Sequence, residues 1–398
     1  MLDTQQNSCT DLLGPSFELV AQHGIGALTL RPLAAAAGTT VSVLTYRFGR
    51  KEHLLARLID AAHQQERGFL APWRARLERL EAMPGSAVAE IADALLDELA
   101  GEHARRSLFF SELVQASAWD TDIRAPLAAW LDSRLAFWRL LVSKQHPAPS
   151  IDLAAVLQSY SIDETAFGLT LNALPSYRWL RKLALRRLCA PDAAAAVRAG
   201  DQRMFRLFFD ELAQLPDTVA IDREAVALSG RKAEIARHAA AMIVTQGAEA
   251  VTHRAVSKAA DLGVSTLSHH FRRQEDLLKA GLEEIIRQMW GRIEQPASAP
   301  AARLTPIWRA TFAIALAATR HEELVASAAA MRRRRGENAD RVLARMGLNR
   351  TYDTLTAQSI SMAYMGQMML TDPSAEQDEE GELYRLIETL DGWIGTKD

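Results

Sequence analysis

The chain has 398 residues, 48% of them apolar, and its 46 Lys+Arg against 49 Asp+Glu leave a formal net charge of −3. That length exceeds one compact core and suffices for two to four, and the near balance of charge excludes a basic coat for nucleic acid, so any attraction to phosphate must be local. Aromatics are sparse at 7% and alanine is abundant, which favours helices over sheets.

The first stretch, MLDTQQNSCTDLLG, is polar and has no apolar signal core. No segment approaches the ~18 uninterrupted apolar residues of a membrane span. The two cysteines, Cys9 and Cys189, have no metal-ligand spacing and give no support for a disulfide. A cytoplasmic protein without a membrane partner is the expectation. Leu12 to His23 reads as an amphipathic helix stopped by Gly24. Thr29 is placed to cap a second helix over 31–37, with Pro32 in its first turn. Gly38 permits a tight turn, Thr40 caps a third helix, VSVLTYRF (41–48), and a long helix starts near Lys51.

Residues 24–55 then recur at 247–278, without a gap, at an offset of 223; 14 of the 32 positions are identical. The second copy predicts helices over 235–246 and 253–260, the latter capped by Thr252. A turn at Asp261-Leu262-Gly263 leads into VSTLSHHF (264–271), and a long helix follows from Gln274. Asp261 stands where the first copy has glycine, and Asp tolerates left-handed geometry better than most residues. Short helices about a three-residue turn make a helix-turn-helix. The duplication continues faintly. Gln158-Ser159-Tyr160-Ser161 echoes Gln358-Ser359-Ile360-Ser361, and Phe205-Arg206-Leu207 echoes Tyr384-Arg385-Leu386. The expected organisation is a first head over 10–60, a first helical body over 61–215 and a linker over 216–229. A second head over 230–282 and a shorter second body over 283–398 follow.

The run TLRPLAAAAGTTVSVLTYRFGRKEHLL (29–55), repeated as THRAVSKAADLGVSTLSHHFRRQEDLL (252–278), resembles the DNA-binding domain of the TetR family of transcriptional regulators. The resemblance covers about fifty residues per half. It implies an all-α chain of two tandem TetR-like units, each a helix-turn-helix head on a helical ligand-binding and dimerisation body. Members of the family usually dimerise through the last two helices of that body, so this chain resembles such a dimer fused into one polypeptide, an intramolecular pseudo-dimer. The implied partners are double-stranded DNA and a small-molecule effector of unknown identity.

The physics of groove recognition points to the same residues. The major groove accepts one α-helix, whose N-terminal side chains reach base edges. With Leu44 and Phe48 turned inward, Val41, Ser42, Val43, Tyr46 and Arg47 are left for DNA. The second copy offers Val264, Ser265, Thr266, His269 and His270. Arg31 and Arg254 can reach guanine or phosphate, and Thr29, Thr252, Tyr46 and Lys51 suit phosphate. Gln274 occupies the place of Lys51. Adjacent histidines on a helix point apart and nothing completes a ligand set around His269-His270, so neither metal nor cofactor is expected.

In the first body, aromatic residues at helical spacing are more often core than pocket. The ligand-binding candidates there are His103, Phe110, Trp119, Trp138, Tyr160, Asp163 and Phe167, with Glu164 beside Asp163. Met362, Met365, Met368 and Met369 make a stripe suited to packing on the matching helix near 158–174. The run Arg332 to Arg335 reads first as a solvated face and next as an anion or DNA-backbone contact. No nucleophile elbow, phosphate loop or zinc signature is present, so an enzyme is not expected. The leading function is a sequence-specific transcriptional repressor on an imperfectly palindromic operator, released by an effector. The alternative is a ligand sensor acting through a protein partner, with degenerate heads marked by Asp261 and Gln274.

Overall fold

Alanine-rich amphipathic segments give helix after helix. The computed structural model describes residues 2–191, 193–214, 230–294, 307–337, 339, 343, 351–371 and 379–394. Among these residues are eighteen α-helices, three short 3-10 turns and no strand. The first head is α1 (Leu2–His23), α2 (Leu30–Ala36) and α3 (Val41–Phe48). Helix α4 (Lys51–Arg79) leads into α5 (Gly85–Ala100), α6 (Ala104–Ala116), α7 (Arg124–Val142), α8 (Leu153–Leu171), α9 (Pro175–Cys189) and α10 (Ala195–Leu212). The second head is α11 (Gly230–Gln246), α12 (His253–Ala259) and α13 (Val264–His270). It is followed by α14 (Gln274–Glu294), α15 (Ile307–Ala317), α16 (Val325–Arg333), α17 (Thr354–Leu370) and α18 (Glu379–Ile394). The linker expected over 216–229 and the loop expected at 296–301 lie outside the described residues. Helix α1 extends ten residues before Leu12, because the polar segment contains neither Gly nor Pro to stop it and no apolar period to reveal it. No helix among the described residues is long and apolar enough to cross a membrane.

The two heads are built alike down to their turns. Gly38 has φ +61° and Asp261 has φ +53°, so the same left-handed turn is made once with glycine and once with aspartate. Thr40 Oγ1 accepts from Val43 N at 3.3 Å, and Thr252 Oγ1 accepts from Ala255 N at 3.1 Å. Thr29 takes the extended cap conformation but its side chain accepts no such bond. Gly38→Ala is expected to cost about 1–2 kcal/mol, read as a lower urea midpoint, because an L side chain is strained in this conformation. Gly38→Asn should cost less, since asparagine tolerates left-handed geometry.

The bodies do not form separate cores. Buried apolar side chains from Leu12 to Ile394 make one contiguous cluster, which corrects the expectation of several. The reason lies in α8 and α17. Sixteen of the 19 residues of α8 and eleven of the 17 of α17 are buried. A helix covered on all faces must lie between other helices, and these two lie against each other. Met362, Met368 and Met369 of the methionine stripe are buried there, while Met365 is half-buried. Gly366 lets the two backbones touch: a Cβ at this position would overlap the carbonyl of Ser159. Further bonds cross between the units. Thr170 Oγ1 donates to the Ala315 carbonyl at 3.1 Å, and Trp393 Nε1 to the Leu188 carbonyl at 2.7 Å.

The arginine run is not a solvated face. Arg332 has zero exposure and donates from Nε and Nη2 to Glu164 at 3.0 and 2.8 Å. Arg335, also buried, donates from Nε and Nη2 to Asp163 at 3.1 and 3.0 Å. Arg333 lies over the Phe209 ring, 4.8 Å from its centroid, and Arg334 is paired with Glu337. The carboxylate partners of Arg332 and Arg335 stand 168 and 172 residues earlier, in the other half of the chain, where the run itself gives no sign of them.

Candidate nucleic-acid interface

Each head projects its third helix with one face anchored and the other open. In α3, Leu44 is buried and Phe48 half-buried, while Val41, Ser42, Val43, Tyr46 and Arg47 are exposed. Tyr46 is 93% exposed. In α13, Leu267 is buried, Val264, Ser265, Thr266 and His269 are exposed, and His270 is half-buried. Helical periodicity explains both patterns: anchoring one residue per turn leaves the N-terminal face free. The His269 and His270 rings meet edge to face, 5.6 Å between centroids at 67°. No group of His, Cys, Asp or Glu among the described residues could hold a metal ion.

Around these helices lie the expected flanking residues. Arg31 and Arg254 are exposed in the first turns of α2 and α12. Thr29 and Thr252 are half-buried at the caps of those helices, and Lys51 and Gln274 are exposed at the starts of α4 and α14. His253 Nε2 lies 2.7 Å from the Phe271 carbonyl and ties α12 to the end of α13. Within each head the named residues therefore sit on a helix face or cap around one recognition helix.

Most of the ligand-binding candidates are packed side chains, and Asp163 and Phe167 both meet Arg335. Phe110, Trp138, Tyr160 and Phe167 are buried side chains of the shared core, and Phe110 packs edge-on against Trp130 with ring centroids 5.0 Å apart. Asp163 is taken by Arg335. His103 caps α6 and packs against Phe69, 4.2 Å between centroids; burial pushes its imidazole below the usual histidine range. Trp119 lines a cavity that lies between the turns Ile25–Ala27 and Ala248–Ala250 of the two heads. Sequence reasoning missed the groups that join heads to bodies there, Glu112, Glu249 and Arg320. One signal was available: Glu249 breaks the internal repeat opposite Gly26.

Two helix-turn-helix heads mounted on a shared helical body define the class of protein, a helical regulator of the DNA-binding kind. The family model for bacterial regulatory proteins of the tetR family matches residues 12–58 and again residues 235–280. The chain therefore carries the head domain of this family twice. Comparison with the curated proteins finds no match.

Proposed function

We propose that the protein is a sequence-specific repressor that binds DNA as a pseudo-dimer within one chain. The observation that carries this reading is the paired exposure of Val41-Ser42-Val43 and Val264-Ser265-Thr266 on the N-terminal faces of α3 and α13. Small β-branched residues suit a thymine methyl, and Ser or Thr can pair with base edges. Two recognition helices about 34 Å apart would enter successive major grooves. The packing of α8 on α17 supports two heads working as one body. Fusion makes engagement of the second head intramolecular, so affinity does not depend on association of chains. The heads differ at Val43/Thr266, Tyr46/His269 and Lys51/Gln274, so the operator has unequal half-sites. A small-molecule effector releases DNA by favouring a head separation that no longer matches the groove spacing.

Selection from genomic fragments, followed by gel-shift titration, tests this. One enriched fragment with two unequal half-sites is expected. Arg31→Ala and Arg254→Ala should each weaken binding by about 1–3 kcal/mol if each arginine makes a bidentate base contact. No enrichment, even at low salt, would sink the DNA-binding reading in favour of a sensor with a protein partner. Sedimentation of the free protein should show one chain per particle; a stable two-chain dimer at micromolar concentration counts against the pseudo-dimer.

A further inference from the structure

The inner turns of the two heads, Ile25–Ala27 and Ala248–Ala250, occupy equivalent places in the repeat and flank a cavity of about 390 Å3. Its two sides are unlike. On one side a single guanidinium joins three parts of the fold. Arg320 donates from Nη2 to Glu112 Oε1 at 2.6 Å, from Nε to Glu249 Oε1 at 2.7 Å and from Nη1 to the Val20 carbonyl at 3.4 Å. Ile25 N donates to Glu112 Oε2 at 3.3 Å. Thus α6, the first head and the second head are tied at one point. Glu249 also presses on the first head, its Cγ lying where a Cβ on Gly24 would come within 2.9 Å. On the other side stands the indole of Trp119, 37% exposed, with Cη2 lying 3.9 Å from where a Cβ on Gly247 would be. The repeat equivalent of Glu249 is Gly26 (249 − 223), so that side has space in place of a carboxylate.

Two carboxylates share one guanidinium, and no donor among the described residues reaches Glu249 Oε2. Burial raises the Glu112 carboxyl, and this outweighs Arg320. Burial also pushes Glu249 up, but the His321 hydrogen bond and Arg320 outweigh it and hold Glu249 low. His321 Nε2 is 3.4 Å from Glu249 Oε1, and its Nδ1 is 3.6 Å from Glu323. Gln115 lines the cavity at 2% exposure and its Oε1 has no partner, although its Nε2 donates to the Arg309 carbonyl at 3.3 Å. The Arg309 side chain does not line the cavity. An aromatic face beside two carboxylates that share one guanidinium, with an orphaned amide oxygen nearby, is a surrounding that suits an organic cation.

We infer that this inter-head cavity binds a small organic cation, an amidinium or ammonium joined to an apolar ring or chain. The charge goes to Glu249 and Glu112, and the apolar part lies on Trp119, Ala313 and Leu316. The occupant competes with Arg320 for its carboxylates and so loosens the tie between the heads. Binding stands on the cavity alone; only its consequence for DNA rests on the reading above.

Calorimetric titration of the DNA-free full-length chain with benzamidine, benzamide and benzoate tests it. Benzamidine should bind, and neutral benzamide and anionic benzoate should bind at least tenfold more weakly. Glu249→Gln and Trp119→Ala should each weaken benzamidine tenfold or more while circular dichroism shows an unchanged helical fold. Trp119 is at the surface and Glu249→Gln is isosteric, so at least one variant is expected to fold. No benzamidine binding at millimolar concentration, equal binding of benzoate, or unchanged affinity in both variants overturns the proposal. Because no DNA enters the titration, its failure is separable from failure of the repressor reading.

Discussion

Arg332→Met is expected to cost the protein about 3–5 kcal/mol, the usual result of breaking a buried ion pair from one side. Glu164 and Arg332 are both fully buried where the two halves of the chain meet. Glu164 also accepts from Tyr177 at 2.7 Å and from Tyr160, and Arg332 Nη1 donates to Gln358 at 2.5 Å. Burial pushes the Glu164 carboxyl up, but Arg332 and the two tyrosine hydroxyls outweigh it and hold it below the usual carboxylate range. A depressed carboxyl contributes stability that is present above its unfolded pKa and is lost as pH falls through its folded one. Removing the guanidinium reverses that sign, because burial then acts with less opposition. The defect of Arg332→Met should therefore be largest near pH 7 and shrink as the pH falls toward the carboxylate range. The pair Glu164→Gln with Arg332→Met should recover much of the loss, since no charge is then left buried alone. Urea unfolding at pH 7 and at about pH 4, the ordinary carboxylate range, measures this. A loss under 1 kcal/mol at pH 7 would mean that solvent reaches the pair.

Gly366→Val should be as damaging by a different route. Its Cβ would overlap the carbonyl oxygen of Ser159 in α8, and the obstacle is backbone, so no rotamer change relieves it. Helices α8 and α17 must separate, and Gln358 of α17, which accepts from Arg332, would move with them. We expect a loss of about 3 kcal/mol, at the upper end for overpacking, and a matching fall in operator affinity, because both heads rest on these bodies. Gly200→Ala provides the control. It lies within α10, where an added Cβ meets nothing within 4 Å, so replacing glycine in a helix should stabilise by about 1 kcal/mol. Equal behaviour of the two variants would show that the contact between α8 and α17 is not tight in solution.

The heads were legible because their physics is local. Caps, turns and outward faces are set by residues within eight positions of one another, and the repeat displayed the turn and the open face twice. Even Asp261, which breaks the glycine pattern, adopts the left-handed conformation its side chain tolerates. The methionine stripe likewise pointed to burial against the helix near 158–174. The bodies were less legible. Arg332 and Arg335 read as surface because four consecutive cations are usually solvated, and the carboxylates that neutralise them belong to the other half of the chain. Of the aromatic residues named as ligand candidates, Phe110, Trp138, Tyr160 and Phe167 are buried and Trp119 lines a cavity, a difference that spacing could not report because it shows which face is apolar and not whether a void adjoins it.

By itself the sequence determined the helical class, the two heads and the residues each head turns outward, since helix period and turn chemistry act over a few residues. Only the tertiary structure decided that both halves share one core, that buried arginines join them and that the heads' inner turns flank a cavity. Those features depend on pairing groups a hundred or more residues apart, and the charge or size of one partner does not reveal the other.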